Sequence, residues 1–351
     1  MSNPIQASPA RHLVVTLLGL ALAANAAAVE LTECAGIEAD PVRLACYDKL
    51  AKQALPGKVT IITDAAPEAP PALPLVIEPP LPPSPVTMLS ERWELDPESK
   101  AGTFQFRSHN PTFIMPLFMT SSVNSRPSSP THAPGGNTGQ RSSEVKFQLS
   151  FKTKLMENLF DGASDLWFGY TQQSHWQLYN SDSSRDFRAT DYQPELILTT
   201  RTNYDLLGWR GRMLNLGVLH QSNGRDQPLS RSWNRLYAQA GFERGDWVLL
   251  ARPWWRVPEK RGNDDNPDIT KYMGHGDLVA MWKKSGHVVS LMGRRNFSDG
   301  GKGAMQADWA FPLSRQLKGH IQMFSGYGES LIDYNHRQTT FGIGVSLSEG
   351  L

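Results

Sequence analysis

The chain has no excess charge of either sign: over 351 residues, 35 Lys and Arg stand against 34 Asp and Glu, a formal net charge of +1. A general nucleic-acid binder carries a basic surplus, so no nucleic-acid partner is expected. Long apolar runs are also lacking. Hydrophobic residues make up 40% and mean hydropathy is −0.40, which argues against a bundle of membrane helices. There are only two cysteines, with nothing nearby to complete a metal site. The histidines are scattered and suggest no zinc centre. Gly326-Tyr327-Gly328 has no Lys-Ser/Thr sequel and is no phosphate loop. What is plentiful is glycine (29) together with 10 Trp, 9 Tyr and 14 Phe, a composition that leans towards β-structure.

Residues 1–28 read as an export signal. Arg11 and His12 precede an apolar run from Leu13 to Ala24, and Ala24-Asn25-Ala26 or Ala26-Ala27-Ala28 suits the cleavage site. The alternative is a membrane anchor, but the run falls short of the roughly 20 residues a spanning helix needs. Export makes a Cys34–Cys46 disulfide the plain reading. It would staple a short helix that starts near Asp40-Pro41, giving a small periplasmic segment over 29–65. Residues 66–85 hold nine prolines, from Pro67 to Pro85. The stretch 66–90 is therefore expected to be an extended spacer, with a separate domain over 91–351.

That domain alternates with period two. In 144–152, Val145, Phe147, Leu149 and Phe151 share one face, opposite Glu144, Lys146, Gln148, Ser150 and Lys152. About 12 such segments are expected, near 104–119, 144–156, 165–179, 195–204, 212–222, 232–242, 247–257, 271–283, 287–297, 304–312, 318–328 and 337–347. Their connections alternate between tight turns and long loops. This is the up-and-down meander of an outer-membrane barrel; an exported β-sandwich is the competing architecture. The expected fold is all-β, a 12-stranded antiparallel transmembrane β-barrel. The long loops 120–143, 180–194, 223–231, 258–270, 298–303 and 328–336 then lie outside the cell. Gln148, Arg235, Gln239 and Arg252 belong to a polar interior.

Polar residues interrupt the lipid face at one place. His220 and Ser222 continue the face of Leu214, Leu216 and Val218, and Asn234 continues that of Leu236, Ala238 and Ala240. If the intervening hairpin turns around Gln227, His220 and Asn234 are both seven residues from its tip and stand opposite each other. A hydroxyl, an imidazole and an orienting carbonyl form a nucleophile set. The competing reading makes them rim residues that meet lipid headgroups.

His220-Gln221-Ser222-Asn223-Gly224-Arg225, Ser230-Arg231-Ser232-Trp233-Asn234-Arg235-Leu236-Tyr237, Asp264-Asp265-Asn266-Pro267-Asp268-Ile269-Thr270-Lys271-Tyr272-Met273-Gly274 and Ser325-Gly326-Tyr327-Gly328-Glu329-Ser330-Leu331-Ile332-Asp333-Tyr334 resemble the outer-membrane phospholipase A family. So do Glu144-Val145-Lys146-Phe147-Gln148-Leu149 and Tyr170-Thr171-Gln172, and the resemblance covers about 90–351. It implies a calcium-dependent enzyme of the Gram-negative outer membrane, active as a homodimer on glycerophospholipid. Ser222 matches the nucleophile, His220 the base, Asn234 the orienting residue and Gly224 an oxyanion donor through its N–H. Arg225 (by its carbonyl) and Ser230 match calcium ligands, Ser184 matches a ligand given by the second subunit, and Gln172 matches a residue of the subunit interface. The run Asp264-Asp265-Asn266-Pro267-Asp268 lacks the full Asp-x-Asp-x-Asp-Gly frame and reads as a structured loop. Leu351 stands where such barrels commonly end in an aromatic residue. Two non-enzymatic alternatives stay open: a narrow pore, and a barrel that merely anchors the 29–65 module. The resemblance leaves sn-1 or sn-2 preference and lysophospholipid use undecided.

Overall fold

The computed structural model describes Cys34, Ile37, residues 40–54, and residues 87–348 except Asp186, Arg261 and Asp299. The expected export signal and most of the Pro-rich spacer lie outside these residues. The chain divides into two units, Met1–Leu81 and Pro82–Leu351.

In the first unit, helix α1 spans Asp40–Ala54, and Cys34 is disulfide-bonded to Cys46 with a Cα–Cα distance of 5.7 Å. Pro41 falls in the first turn, where its missing N–H would have had no intrahelical acceptor.

The second unit is a closed antiparallel barrel of 12 strands. Its strands are β2 (Thr112–Thr120), β3 (Ser143–Leu159), β4 (Ser164–Trp176), β5 (Phe187–Leu206), β6 (Trp209–Ser222), β7 (Ser232–Arg244), β8 (Trp247–Arg256), β9 (Gly276–Lys284), β10 (His287–Arg295), β11 (Gly303–Pro312), β12 (Lys318–Tyr327) and β13 (Arg337–Ser348). Each pairs with its sequence neighbour, and β13 closes the ring on β2 with Phe341 opposite Met119. Closure satisfies every strand edge, as hydrocarbon requires.

The expected first strand, 104–119, is broken. A short β1 (Phe106–Ser108) pairs with β3 at Phe151–Thr153, and β2 resumes beyond Pro111 further along the same partner. Pro111 cannot donate to a ladder, and at the break His109 turns inward to Glu195 at 2.7 Å. The segment expected over 271–283 also starts differently. Ile269–Met273 is a short helix, α3, and β9 begins only at Gly276. Conversely, β5 starts at Phe187, inside the loop expected over 180–194.

The alternation holds where it places the site. Along β6, Leu216 and Val218 are 50% and 54% exposed on the outer face, whereas Met213, Asn215, Leu219 and Gln221 are buried. Arg235 and Arg252 point inward, where Arg252 pairs with Asp277 at 2.8 Å.

The lumen is filled. A helix α2 (Met88–Trp93) runs through the expected end of the spacer at residue 90 and enters the short-turn end of the barrel. Leu89, Trp93 and Leu95 pack there against Trp167, Ile197, Met213, Val248, Leu250 and Met281. Lys152 Nζ lies 3.1 Å from the Trp93 ring centroid, and Glu94 pairs with Lys154 at 2.7 Å. Towards the long loops, a second cluster of Leu219, Trp233, Tyr237, Trp254, Ile269, Met273, Leu331 and Tyr334 fills the other end.

Candidate functional site on the outer barrel wall

β6 and β7 set the geometry by their register. His220 stands directly opposite Asn234, and Ser222 opposite Ser232. His220 is exposed on the lipid face, with Ser222 and Asn234 half-buried beside it. His220 Nδ1 lies 2.8 Å from Asn234 Oδ1. Since an amide oxygen only accepts, Nδ1 carries the proton of this pair and Nε2 keeps its lone pair. The Ser222 hydroxyl makes no hydrogen bond with the ring. Catalytic contacts of this kind are often long before substrate binds.

The inner sides of the same strands hold the pair in place. Gln221 Oε1 accepts from Trp233 Nε1 and from Arg235 Nη2, each at 2.9 Å, and the Arg235 guanidinium lies 4.0 Å from the Trp233 ring centroid. Residues adjacent to all three site positions are therefore locked from within.

The connecting loop, 223–231, is organised by Asn223. Its Oδ1 accepts from Arg231 N at 2.9 Å, and its Nδ2 donates to Leu229 O at 2.8 Å. Gly224 follows with φ +58°, and a Cβ there would lie 3.0 Å from Cε2 of Tyr192. Only glycine suits that conformation in so little space. The Gly224 N–H has no partner among the described residues and stays free to donate. The Arg225 side chain hydrogen-bonds Phe187 O, which ties the loop to the start of β5.

The loop between β8 and β9 clamps this hairpin. Ser230 Oγ donates to Asp265 Oδ2 at 2.5 Å, and Ser232 N donates to Asn266 Oδ1 at 2.9 Å. Asp264 pairs with Arg256 at 2.6 Å, and Tyr334 Oη donates to Asp268 at 2.6 Å. The acidic run is thus a structured loop. It also brings up two residues that the sequence did not single out one by one: Asp265 beside Ser230, and Glu259, whose Oε1 lies 3.4 Å from Asn234 Nδ2. Burial and the nearby Asp264 carboxylate raise the Glu259 carboxyl above its ordinary range, with Arg256 and the Asn234 amide pulling the other way.

Ser184 lies in the loop between β4 and β5, its carbonyl accepting from Trp176 Nε1 at 2.8 Å. Within one chain, no hydrogen bond joins it to Arg225 or Ser230. Gln172 sits on the outer face in the same register row as Leu149, Tyr192 and Ser222. Its amide has partners within the one chain. Tyr170 Oη donates to Gln172 Oε1 at 3.1 Å, and Gln172 Nε2 donates to Ser174 Oγ at 3.4 Å. Residues two apart on a strand share a face, so Tyr170 and Ser174 flank the amide.

Residues 89–347 match the family model for phospholipase A1. A phospholipase A1 relative from Neisseria meningitidis serogroup B is 38% identical, with 95% of each chain covered. Phospholipase A1 of Escherichia coli K12 is 45% identical over 60% of this chain and 71% of its own. Among solved structures, outer membrane phospholipase A from Escherichia coli superposes with a TM-score of 0.63 at 36% identity, covering 71% of this chain and 94% of that one. The outer membrane phospholipase of Salmonella typhi, solved as a dimer with bound calcium, gives the same TM-score and identity over 73% of this chain and 95% of its own.

Proposed function

From the premise that this chain belongs to the phospholipase A1 family and is an outer-membrane β-barrel phospholipase, we propose that it cleaves glycerophospholipid acyl esters with a Ser222–His220–Asn234 triad, calcium-dependent and active as a homodimer. The observation that carries the triad is the 2.8 Å contact between His220 Nδ1 and Asn234 Oδ1 on the lipid-facing wall. It leaves Nε2 as the base on the face that Ser222 shares. In the reaction, Ser222 Oγ attacks the ester carbonyl and His220 Nε2 takes its proton. The Gly224 N–H donates to the oxyanion. His220 then protonates the departing lysophospholipid oxygen, and water, deprotonated by the same ring, releases the fatty acid. Acyl tails stay in the surrounding leaflet throughout, because the site opens sideways.

The donors fit calcium. The Arg225 carbonyl and Ser230 Oγ are hard oxygens on the loop after the nucleophile, and Asp265 adds a carboxylate at Ser230. Calcium bound there would lend positive charge to the developing oxyanion. Ser184 makes no contact with these donors in its own chain, which is consistent with its serving the loop of a second copy beside Gln172. The dimeric, calcium-bound Salmonella typhi relative supports the same reading. Filling of the lumen by two apolar clusters argues against a pore. Residues 29–65 are assigned to the periplasmic side as an accessory segment. The deciding assay is phospholipid hydrolysis by wild type, S222A and H220A, with calcium or chelator. Hydrolysis by all three alike would sink the triad.

A further inference from the structure

The Asn234 amide is held from both ends. Its oxygen faces His220 Nδ1 at 2.8 Å, and its nitrogen faces Glu259 Oε1 at 3.4 Å. Seen alone, an amide beside an imidazole is ambiguous, because a flip exchanges its donor and acceptor ends. Glu259 removes that freedom. A carboxylate accepts and does not donate, so an amide turned the other way would set oxygen against oxygen. With Nδ2 committed to Glu259, Oδ1 must meet the ring, Nδ1 must carry the hydrogen, and Nε2 is left free. The amide also lacks the negative charge that an aspartate would offer the imidazolium. The Glu259 carboxylate stands immediately behind it, at the end of an unbroken chain of contacts.

We propose that Glu259 is a positioning residue for this site: acting through Asn234, it fixes the amide orientation and the His220 tautomer, and places a negative charge behind the imidazolium. No proton passes to Glu259; its contribution is orientation and field. Arg256, Asp264 and Asp265 are its charged neighbours, and the Arg256–Asp264 pair anchors the loop that presents it. The inference rests on the triad reading above and deepens it.

The test is a set of kcat and KM measurements on mixed detergent–phospholipid micelles with calcium, for S222A, E259A, N234A, N234A/E259A, N234D and N234D/E259A, each checked for folding by its heat-modifiable gel mobility. E259A should lower kcat about tenfold, as loss of an outer-shell partner commonly does, with KM unchanged. In the N234A background, removing Glu259 should cost nothing further. In the N234D background the sign should reverse: two carboxylates at this spacing repel, so N234D/E259A should exceed N234D in kcat. A merely structural loop residue would cost the same in every background. That result, or an E259A variant as fast as wild type while S222A is dead, overturns the role of Glu259 and leaves the triad standing. An S222A variant as fast as wild type overturns the triad itself, and this role with it.

Discussion

Ser230 and Asp265, 35 residues apart in sequence, meet at 2.5 Å through a hydroxyl–carboxylate hydrogen bond. The bond joins the loop that follows Ser222 to the loop that precedes β9, so the proposed calcium ligand Ser230 is set by a residue from outside its own hairpin. D265N should keep the hydrogen bond while losing the charge. The calcium concentration for half-maximal activity should rise about tenfold or more, with little change in the rate at saturating calcium. A calcium titration of hydrolysis checks this.

Removing the chemistry should be far more costly than removing its support. S222A and H220A should each lose at least about a thousandfold in kcat, and N234A less, because its amide orients the ring without taking a proton. Chelation should cost several kcal/mol of transition-state stabilisation, about a hundredfold or more in rate. All are read in one lipid-product assay.

Gly224 combines a left-handed φ with a Tyr192 ring only 3.0 Å from where a Cβ would lie, closer than ordinary van der Waals contact. G224A should strain the loop by roughly 1–2 kcal/mol and displace the N–H assigned to the oxyanion. The expected signature is a fall in kcat of about tenfold or more, with barrel stability lowered by no more than that strain.

Helix α2 belongs to the barrel core. Trp93 is 3% exposed and Leu89 fully buried, with Leu89 N donating to Glu243 Oε1 at 2.7 Å. W93A should destabilise the barrel by about 3–5 kcal/mol, measured by urea unfolding of the reconstituted protein. A deletion of 29–81 should leave hydrolysis intact, and one that runs through Leu95 should not. Thiol reductant, which opens Cys34–Cys46 in the other unit, should leave hydrolysis unchanged.

Much of the site was legible because it depends on two local rules. Alternation put His220 and Ser222 on the face of Leu216 and Val218, and a hairpin symmetric about Gln227 put Asn234 across from His220. The contacts that hold the site were not legible in the same way. Glu259 and Asp265 reach it from another hairpin, and nothing in spacing or periodicity announces a contact across a loop. Helix α2 escaped because six residues after a Pro-rich stretch are too few to show a period; only the surrounding lumen makes Leu89 and Trp93 a core. The break between β1 and β2 carried its mark, Pro111, but the alternation on either side hid it.

The stoppered barrel has a consequence for the cell that carries it. A hydrolase embedded in a permeability barrier must not itself become a leak, and clusters of Trp, Leu and Met pack both ends of this cylinder. With the proposed Ser222–His220–Asn234 site on the outer wall, lipids would arrive by diffusion in the plane of the membrane and products depart the same way.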